Sequence, residues 1–478
     1  MYEKKDKKSG IGLISLIAIV INSSIGAGIF GLISGIASSA SPGAALIAWM
    51  ICGIGILGLV LSINNLVLKK PKLNGIFVYA QEGFGPFAGF ISGWGYWLSS
   101  WLSNIAFATM LMSATGFFFP VFGNGQNLPS VVAASILSWV LTVLVNRGIE
   151  SASFINTFIA ICKLIPIFIF ITFSFILFKF NVFDSDFWST FNSNISSGFH
   201  FGDVANQIRG CLMVIMWVFV GIEGASVMAK HAKSKRDVGL ATVLGLSCLL
   251  AIYVLVSILP YGILSQAKLS QLRSPSMQYL FQRMVGKWGG TLIGLGVVIS
   301  ITGSWLSWTM IPAQTMSDMA NEGLLPKIFG RTNKRNASTF ALFSTECLFQ
   351  LFLLTLLVTD KAYIFAYSLC TVATIVTYVF VAAYQIKFSL LDKELNNKRQ
   401  FFYGIIAFVF QVNVIILAGI QYLLLCLIAY IPGIYCYVRA RKEQGKYGFS
   451  NNEKKIATLI VFFGFVAIGL LALGFIKT

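Results

Sequence analysis

Long apolar runs follow one another along almost the whole chain, and this pattern constrains the fold more than any other feature. Of the 478 residues, 57% are hydrophobic and only 11% are charged. A helix needs about 20 apolar residues to cross the hydrocarbon core of a bilayer. About thirteen runs reach that length, and we number them as spans 1 to 13, covering residues 11–38, 44–66, 85–116, 129–146, 153–178, 204–229, 239–265, 288–318, 338–358, 362–386, 401–419, 421–438 and 456–476. The sequence therefore predicts an all-α polytopic membrane protein whose partner is the lipid bilayer.

The net charge of +18 is explained by the loops between the spans. In a soluble protein such a charge would suggest nucleic acid, but no nucleic-acid partner is expected here. If the N-terminus is cytoplasmic, cytoplasmic segments carry 26 of the 35 Lys and Arg residues, and external segments carry 7. The positive-inside rule then predicts a cytoplasmic N-terminus, and an odd number of spans places Thr478 outside. The external loop 266–287 departs from the rule, because it holds four of those 7 basic residues.

Glycine-rich breaks interrupt two of the spans in matching places. Span 1 contains the sequence SSIGAGIF at Ser23–Phe30, and span 6 contains WVFVGIEGAS at Trp217–Ser226. Because unpaired backbone groups cost several kcal/mol in lipid, irregular backbone persists only where it lines a cavity or is buried in protein. For either break alone, small residues that permit close helix packing are the alternative. A matched pair instead indicates the central substrate site of a secondary transporter.

The separation of the two breaks predicts the domain organisation. Equivalent positions are five spans apart, and because five is odd the second group enters the membrane from the opposite side. We therefore predict two inverted five-helix repeats with broken helices 1 and 6, followed by three accessory helices. The predicted divisions are a cytoplasmic tail at 1–10, the first repeat at 11–178, the second repeat at 204–386 and accessory spans at 401–476.

The inventory of reactive side chains argues against an enzyme. All 8 Cys residues fall within or beside apolar spans without a Cys-x-x-Cys pair, and the 2 His residues lie outside the spans. The membrane region therefore lacks the nucleophile–base set or metal cage that catalysis needs. We predict no metal, no cofactor and no enzymatic activity. A signalling sensor on a transporter scaffold usually carries an added cytoplasmic domain, and no loop here is long enough to hold one.

Three motifs together resemble a known family. The break at Gly26–Phe30, the run at Trp94–Asn104 in span 3 and the break at Gly221–Ser226 resemble the basic amino acid/polyamine antiporters. These form a branch of the amino acid–polyamine–organocation superfamily. Within the branch, the chain most resembles the arginine/ornithine antiporters, including their thirteenth span. The resemblance continues through Lys233–Asp237 and Asn321–Pro326, and so covers essentially the whole chain.

The resemblance implies that the two breaks hold the two ends of a zwitterion. After the first break a half-helix begins, and its exposed N–H groups and positive dipole end suit a carboxylate. The residues assigned to the carboxylate are Ser24, Gly26, Ala27 and Gly28. The unwound carbonyls of the second break, at Gly221 and Ile222, suit the substrate α-ammonium.

Two tryptophans match aromatic positions of the family. Trp217 resembles the aromatic gate over the site, and Trp308 of span 8 matches the residue that stacks on the substrate side chain. The face of a Trp ring attracts a guanidinium or ammonium by about 2 kcal/mol when water is excluded. Most of the 10 Trp residues are better explained as packing or interface residues. Trp217 and Trp308 are assigned to the site because of their positions within the family motifs.

Polar side chains follow one face of span 3. The stripe consists of Tyr96, Ser99, Ser100, Ser103 and Asn104, at helical spacings of three and four. Such a stripe can also serve interhelical hydrogen bonds, worth about 0.6 kcal/mol each. The resemblance instead implies a pocket around the tip of the substrate side chain, formed by Tyr96, Ser99, Ser100, Asn104 and Ser368 of span 10. Neutral oxygens there can accept from the five donors of a guanidinium, and the absence of a carboxylate in this set favours release.

Two ionisable residues lie deep in the spans. Glu223 matches the family glutamate after the second break, and a role in coupling the gate to the site competes with a structural hydrogen bond to unwound backbone. Lys163 of span 5 resembles a lysine that replaces, in some relatives, the sodium ion between spans 1 and 5. A fixed ammonium there disfavours a sodium symporter, and snorkelling of the side chain is the alternative.

The expected function is therefore amino acid exchange in a bacterial cytoplasmic membrane. The resemblance implies import of arginine and export of ornithine; because both carry one positive charge, one-for-one exchange moves no net charge. The alternatives are amino acid/amine exchange (histidine/histamine, tyrosine/tyramine or lysine/cadaverine) and uniport or proton symport of lysine or arginine. Amino acids are the expected small-molecule substrates. The branch often forms homodimers, so a homodimer is one expected assembly.

Overall fold

Long apolar helices make up most of the computed structural model. It describes residues 12–73, 75–148, 153–188, 199–224, 232–358, 362–391, 398–446 and 449–473. The predicted tail at 1–10 and the part of span 6 at 225–229 lie outside these residues.

The first half of the chain contains nine described helices. They are α1 (Leu13–Ser24), α2 (Gly28–Ala37), α3 (Pro42–Lys69), α4 (Val78–Phe84), α5 (Pro86–Gly116), α6 (Leu128–Asn146), α7 (Ser153–Ile176), α8 (Phe180–Asp184) and α9 (Phe201–Trp217). A short 3₁₀ turn at Pro120–Phe122 precedes α6. Spans 2 to 5 correspond to α3, α5, α6 and α7, so these four boundaries agree with the predicted ones to within a few residues.

The second half of the chain contains nine more described helices. They are α10 (Lys235–Ile258), α11 (Gln266–Ser270), α12 (Ser276–Val285), α13 (Lys287–Asn321), α14 (Thr339–Leu353), α15 (Ala362–Leu391), α16 (Lys398–Val414), α17 (Ile420–Glu443) and α18 (Asn451–Ala472). Spans 7 to 13 correspond to α10 and α13 to α18. Short 3₁₀ segments follow α10, α13 and α14, and a π-helical segment at Ile415–Gly419 joins α16 to α17.

The all-α membrane fold is confirmed. Within the described residues, 9 helices are long and apolar enough to cross a membrane, and two shorter apolar helices lie at Gly28–Ala37 and Cys162–Ile176. The helix α5 is not among the 9, although its 31 residues extend about 46 Å at 1.5 Å per residue. Its serines, glycines and tryptophans make it less apolar, as expected for a helix that lines a polar site.

Both predicted breaks are present. In span 1, α1 ends at Ser24 and α2 begins at Gly28. Between them Ile25 has φ −77° and ψ 84°, outside the helical range. In span 6, α9 ends at Trp217 and a series of turns follows to Glu223. Gly221 has a φ of +98°, which only glycine adopts without strain.

The helices pack in reciprocal pairs. Span 1 packs against span 7, and span 6 packs against span 2. In the same way span 5 packs against span 8, and span 10 packs against span 3. Spans 4 and 9 pack against each other at the periphery. Span 1 can be matched with span 6, span 2 with span 7, and so on to spans 5 and 10. Each of these contacts made by one set of five spans then has an equivalent contact in the other set.

The last three helices surround this bundle on one side. Helix α16 packs on α3 and α15, α17 packs on α15 and α5, and α18 packs on α17. Glycines permit the close approach: an added Cβ at Gly433 would lie 2.6 Å from the ring of Trp94. Tyr430 Oη donates to the carbonyl of Ile91 over 2.9 Å and joins α17 to α5.

The basic loop between spans 7 and 8 covers the second half of span 1. Gln266 Nε2 donates to the carbonyl of Ala37 over 3.0 Å. Ser276 Oγ lies 3.3 Å from the carbonyl of Phe30 and donates to it. These bonds hold α11 and α12 against α2, so the loop forms part of the wall at this end of the bundle.

Candidate functional site

The two helix breaks touch each other at the centre of the bundle. Ser23 Oγ lies 2.7 Å from the carbonyl oxygen of Gly221 and donates to it. An added Cβ at Gly221 would lie 2.5 Å from the carbonyl oxygen of Ser23, and one at Gly28 would lie 2.7 Å from Val218 Cγ1. Glycine is therefore required at these positions for the breaks to meet.

A tyrosine of span 7 joins both breaks. Tyr253 Oη lies 3.1 Å from the carbonyl of Ser24 and 2.9 Å from the carbonyl of Val218, and can donate to either. Tyr253 is fully buried. Unwinding a helix leaves carbonyls without their usual partners, so one hydroxyl between two such carbonyls stabilises both breaks.

The break of span 1 leaves donors directed away from its own helix. Gly26 N donates to Ser24 O, and Phe30 N donates to Ala27 O, over 2.9 and 3.2 Å. The N–H groups of Ala27, Gly28 and Ile29 form no hydrogen bond with a described residue. Ser24 Oγ is also buried without a partner among the described groups. Unpaired donors at the N-terminus of a helix form the arrangement that binds carboxylates.

Lys163 joins three spans at the first break. Its Nζ donates to the carbonyl of Ile25 over 2.8 Å and lies 3.4 Å from Ser304 Oγ. The side chain is 1% exposed, so the snorkelling alternative does not describe it. An amine that is positively charged when protonated thus lies where spans 1, 5 and 8 meet.

Glu223 joins the second break to spans 3 and 10. Tyr96 Oη donates to its Oε1 and Tyr378 Oη donates to its Oε2, both over 2.7 Å. The glutamate is 1% exposed. Its carboxylate therefore ties the second break to spans 3 and 10.

Trp308 and Asn104 lie together beside the second break. Asn104 Nδ2 donates to the carbonyl of Trp308 over 3.1 Å. An added Cβ at Gly221 would lie 3.2 Å from Trp308 Cζ2, so the indole passes close to the break. Asn104 Oδ1 is buried without a partner among the described groups. This position thus combines an aromatic ring with a free carbonyl oxygen, two groups that attract a cation.

The serines of span 3 use their protons within their own helix. Ser99 Oγ and Ser100 Oγ donate to the carbonyl of Tyr96 over 2.8 and 2.7 Å. Their oxygens keep lone pairs and can accept but not donate. Ser368 is buried in span 10, the helix that packs against span 3. A row of acceptors suits a cationic side chain.

Aromatic residues surround Trp217. Tyr367 stacks on it with ring centroids 5.1 Å apart and planes at 19°, and Tyr363 meets it edge-on at 5.9 Å. Tyr363 and Tyr367 lie one turn apart on span 10. Three aromatic rings therefore lie on the side of the site where span 1 continues as α2.

All fifteen residues predicted for the site or for coupling are buried. The structure brings most of them to the two breaks and the adjoining faces of spans 3, 5, 8 and 10. Five polar or aromatic residues that complete these contacts were not predicted from the sequence, namely Ser23, Tyr253, Tyr363, Tyr367 and Tyr378. The available signal was a tyrosine within an otherwise apolar span, which is costly unless its hydroxyl has a partner.

Within the described residues no group of three or more His, Cys, Asp or Glu could hold a metal ion. The groups around the breaks are backbone groups, hydroxyls, amides and rings, together with the ionisable side chains of Lys163 and Glu223.

Known proteins share both the sequence and the fold. The amino acid permease family matches residues 11–433. An arginine/ornithine antiporter from Latilactobacillus sakei is 57% identical over 476 residues, 99% of each chain. An arginine/agmatine antiporter from Chlamydia felis is 38% identical over 471 residues, 96% of each chain. A solved structure of a Na⁺-coupled sialic acid symporter has a TM-score of 0.55 and 12% identity, and the alignment covers 87% of this chain and 90% of that one.

These matches confirm the resemblance found in the sequence and identify a multi-pass membrane transporter rather than an enzyme. The symporter is too distant in sequence to indicate a substrate, and it supports the fold alone. The family match covers most of the chain, and the relatives align with it from end to end. The chain belongs to the amino acid permease family.

Proposed function

We propose that this protein is an antiporter that exchanges arginine for ornithine across a bacterial cytoplasmic membrane by alternating access. The observation that carries the proposal is a buried site with two chemically different ends. Unpaired N–H groups at the start of α2 suit a carboxylate, and Trp308 with the free oxygen of Asn104 suits a cationic side chain. Relatives aligned along the whole chain are named arginine/ornithine antiporters.

The substrate carboxylate would bind at the first break. Its partners in this proposal are Ser24, Gly26, Ala27 and Gly28. Backbone donors and a helix dipole hold an anion without a fixed positive charge beside it. The α-ammonium would lie against the carbonyl groups around Gly221 and Ile222 at the second break.

The cationic side chain would extend toward spans 3, 8 and 10. Trp308 would stack on the guanidinium or ammonium, while Tyr96, Ser99, Ser100, Asn104 and Ser368 form the polar surround. Attraction to a desolvated aromatic face is about 2 kcal/mol or more. Because these partners are neutral, they can recognise a charge of +1 and still release it on the opposite side. Trp217, held by two tyrosines, would close the site.

Alternating access would use the two repeats, residues 11–178 and 204–386. The reciprocal packing of span 1 on span 7 and span 6 on span 2 supports this division. Glu223 is proposed to couple the second break to spans 3 and 10 through its two tyrosines. Lys163 is proposed to hold the first break through Ile25, where a sodium ion would otherwise be needed.

The proposal includes a membrane orientation. The excess of Lys and Arg in alternate loops supports a cytoplasmic N-terminus and an external C-terminus. The loop 266–287, between spans 7 and 8, is then external. A homodimer is proposed as the assembly on the family resemblance alone.

Exchange in liposomes tests the function directly. Purified protein is reconstituted with internal ornithine, and uptake of labelled arginine is compared with empty, histidine-loaded, tyrosine-loaded and lysine-loaded vesicles. We expect uptake only where internal ornithine, or a closely similar cation, can leave. Equal uptake into empty vesicles would indicate a uniporter or symporter instead. Absence of arginine uptake, with histidine or tyrosine exchanged for its amine, would indicate the amino acid/amine alternative.

A further inference from the structure

A cavity lies one aromatic layer away from the proposed site. Its volume is about 260 Å³, and its lining consists of Thr109, Met110, Ser113, Asn124, Gln126, Arg273, Ser274 and Tyr363. These residues come from span 3, from the loop after it, from the loop 266–287 and from span 10. Tyr363 belongs both to this cavity and to the aromatic group that contacts Trp217. The cavity is therefore a vestibule directly outside the proposed gate.

The floor of this vestibule is closed against span 1. An added Cβ at Gly31 would lie 2.9 Å from Met110 Cε, 3.0 Å from Tyr363 Oη and 3.3 Å from Ser274 Oγ. Ser113 Oγ donates to the carbonyl of Ser274, which fixes the loop to span 3. A molecule in the vestibule is thus separated from the break of span 1 by a few side chains.

One lining residue carries a charge. Arg273 lies above the ring of Tyr279, with its Cζ 5.8 Å from the ring centroid. Within the described residues no carboxylate lies within 4.0 Å of Arg273, and the lining contains no acidic side chain. A guanidinium beside an aromatic ring at the edge of this cavity is a binding group for a planar anion, above all a carboxylate.

The remaining lining offers acceptors and an aromatic surface. Gln126 Oε1 is buried without a partner among the described groups. Asn124 Oδ1 accepts from the backbone N–H of Gln126 over 3.2 Å, which orders this loop beside the cavity. Tyr363 adds a ring next to these oxygens. A carbonyl oxygen and an aromatic ring suit an ammonium or guanidinium, as Asn104 and Trp308 do in the central site.

We propose that this vestibule is an outer recognition site for a free amino acid with a cationic side chain, in which Arg273 binds the carboxylate and Gln126 with Tyr363 receives the cationic end. The inference rests on the proposed function and on the external position of loop 266–287. It adds a selection step before the gate. An amine without a carboxylate can still reach Gln126 and Tyr363, but it gains nothing from Arg273 and is repelled by it, so the external face selects amino acids against their decarboxylated amines.

The test compares external with internal substrate in oriented membrane vesicles loaded with ornithine. Arg273→Gln is expected to raise the KM for external arginine about tenfold, which corresponds to the loss of one charge-assisted pair. The KM for internal ornithine and the maximal exchange rate should stay unchanged. Inhibition by external agmatine, which is arginine without its carboxylate, should strengthen relative to arginine. Arg273→Lys keeps the charge and should retain most of the discrimination.

Lys268→Ala is the matched control, because Lys268 is an exposed basic residue of the same loop that does not line the cavity. It should leave both KM values unchanged. An unaltered KM for external arginine in Arg273→Gln would overturn the inference, as would equal changes for arginine and agmatine or a change on the internal side only. If the unmodified protein exchanges no arginine for ornithine, the proposed function fails instead, so the two failures are distinguishable.

Discussion

Lys163 Nζ donates a hydrogen bond to the carbonyl oxygen of Ile25 over 2.8 Å, so a side chain of span 5 supports the break of span 1. The carbonyl is free to accept because the helix is interrupted there. Charged groups within membrane spans require such partners, and the unwound backbone supplies one. Ser304 Oγ, 3.4 Å away, adds a second contact from span 8. The ammonium therefore acts at the junction of both repeats.

Replacing this ammonium should damage transport. In Lys163→Met the carbonyl of Ile25 loses its donor, and an unsatisfied buried group costs about 1–3 kcal/mol. We expect the initial rate of arginine uptake into ornithine-loaded liposomes to fall about tenfold or more. Lys179→Met is the control, because Lys179 is exposed beyond the end of α7. Equal rates for Lys163→Met and the control would contradict the role given to this lysine.

Transport should not require sodium. When Lys163 is protonated, a second cation at the junction of spans 1, 5 and 8 would be repelled. Replacing Na⁺ by choline on both sides of the liposome should therefore leave the exchange rate unchanged. A rate that rises with Na⁺ concentration would show that a sodium site exists despite Lys163. The same series in potassium medium controls for effects of ionic strength.

The second break depends on one glycine for two separate reasons. Gly221 has a φ of +98°, and an added Cβ would also lie 2.5 Å from the carbonyl oxygen of Ser23. Gly286 has a similar φ of +88° but has open space around the same position. Gly286→Ala should therefore show only the backbone strain, about 1–2 kcal/mol of stability. In Gly221→Ala the added methyl group should also push the two breaks apart, so this substitution should abolish exchange.

The measurement for this pair is exchange rate together with thermal stability in detergent. Gly286→Ala is expected to lower stability modestly and to retain exchange. Loss of exchange in both variants to the same extent would mean that strain alone is responsible. Full activity of Gly221→Ala would show that the breaks do not need to touch.

Glu223 and its two tyrosines should behave as one unit. Each tyrosine donates over 2.7 Å to a different oxygen of the carboxylate. Hydrogen bonds to charged groups contribute about 1.5–3 kcal/mol. Tyr96→Phe and Tyr378→Phe should therefore each destabilise the protein and slow exchange, while Tyr435→Phe on the exposed side of α17 should do neither.

A double-mutant cycle tests that unit. If the hydroxyl of Tyr378 acts through Glu223, its removal should matter less once Glu223→Gln is present. Groups in direct contact usually show interaction energies of about 0.5–3 kcal/mol. Additive effects of the two substitutions, measured on exchange rate and on thermal stability, would mean that Tyr378 acts independently of the carboxylate.

The spans and both breaks could be predicted from the sequence because their signals are local. Apolar run length gave span 3 as 85–116, and the helix runs from Pro86 to Gly116. The breaks were indicated by glycines, which act on the backbone at their own positions. The membrane itself makes these signals strong, since unpaired backbone in lipid is so unfavourable.

The contacts that stabilise the breaks could not be predicted in the same way. Tyr253 lies on span 7, and its hydroxyl can reach the two partner carbonyls only because two other spans unwind. Ser99 and Ser100 are a second case, in which the sequence pattern was informative but the hydrogen bonds were not predictable. Their spacing indicates a polar face correctly, but it does not show that both hydroxyls donate to Tyr96. Such pairings depend on how distant spans meet.

Trp308 gives the most direct test of how the cationic side chain is held. Its indole lies beside Gly221, and its own carbonyl accepts from Asn104, so ring and amide form one surface. In Trp308→Leu the pocket keeps an apolar wall but loses the aromatic face, which attracts a desolvated cation by about 2 kcal/mol. We expect arginine/ornithine exchange to be abolished. Trp288→Leu is the matched control, because Trp288 begins the same helix and is 52% exposed.

The measurement is arginine uptake into ornithine-loaded liposomes, with both variants reconstituted in equal amounts. The affinity of the detergent-solubilised protein for arginine is measured by calorimetry. This measurement separates a loss of arginine affinity from a loss of the conformational change that moves the substrate. If Trp308→Leu binds arginine normally but does not exchange it, the ring serves the conformational change rather than recognition. If it both binds and exchanges like Trp288→Leu, the cation lies elsewhere, and the polar face of span 3 around Asn104 becomes the place to search.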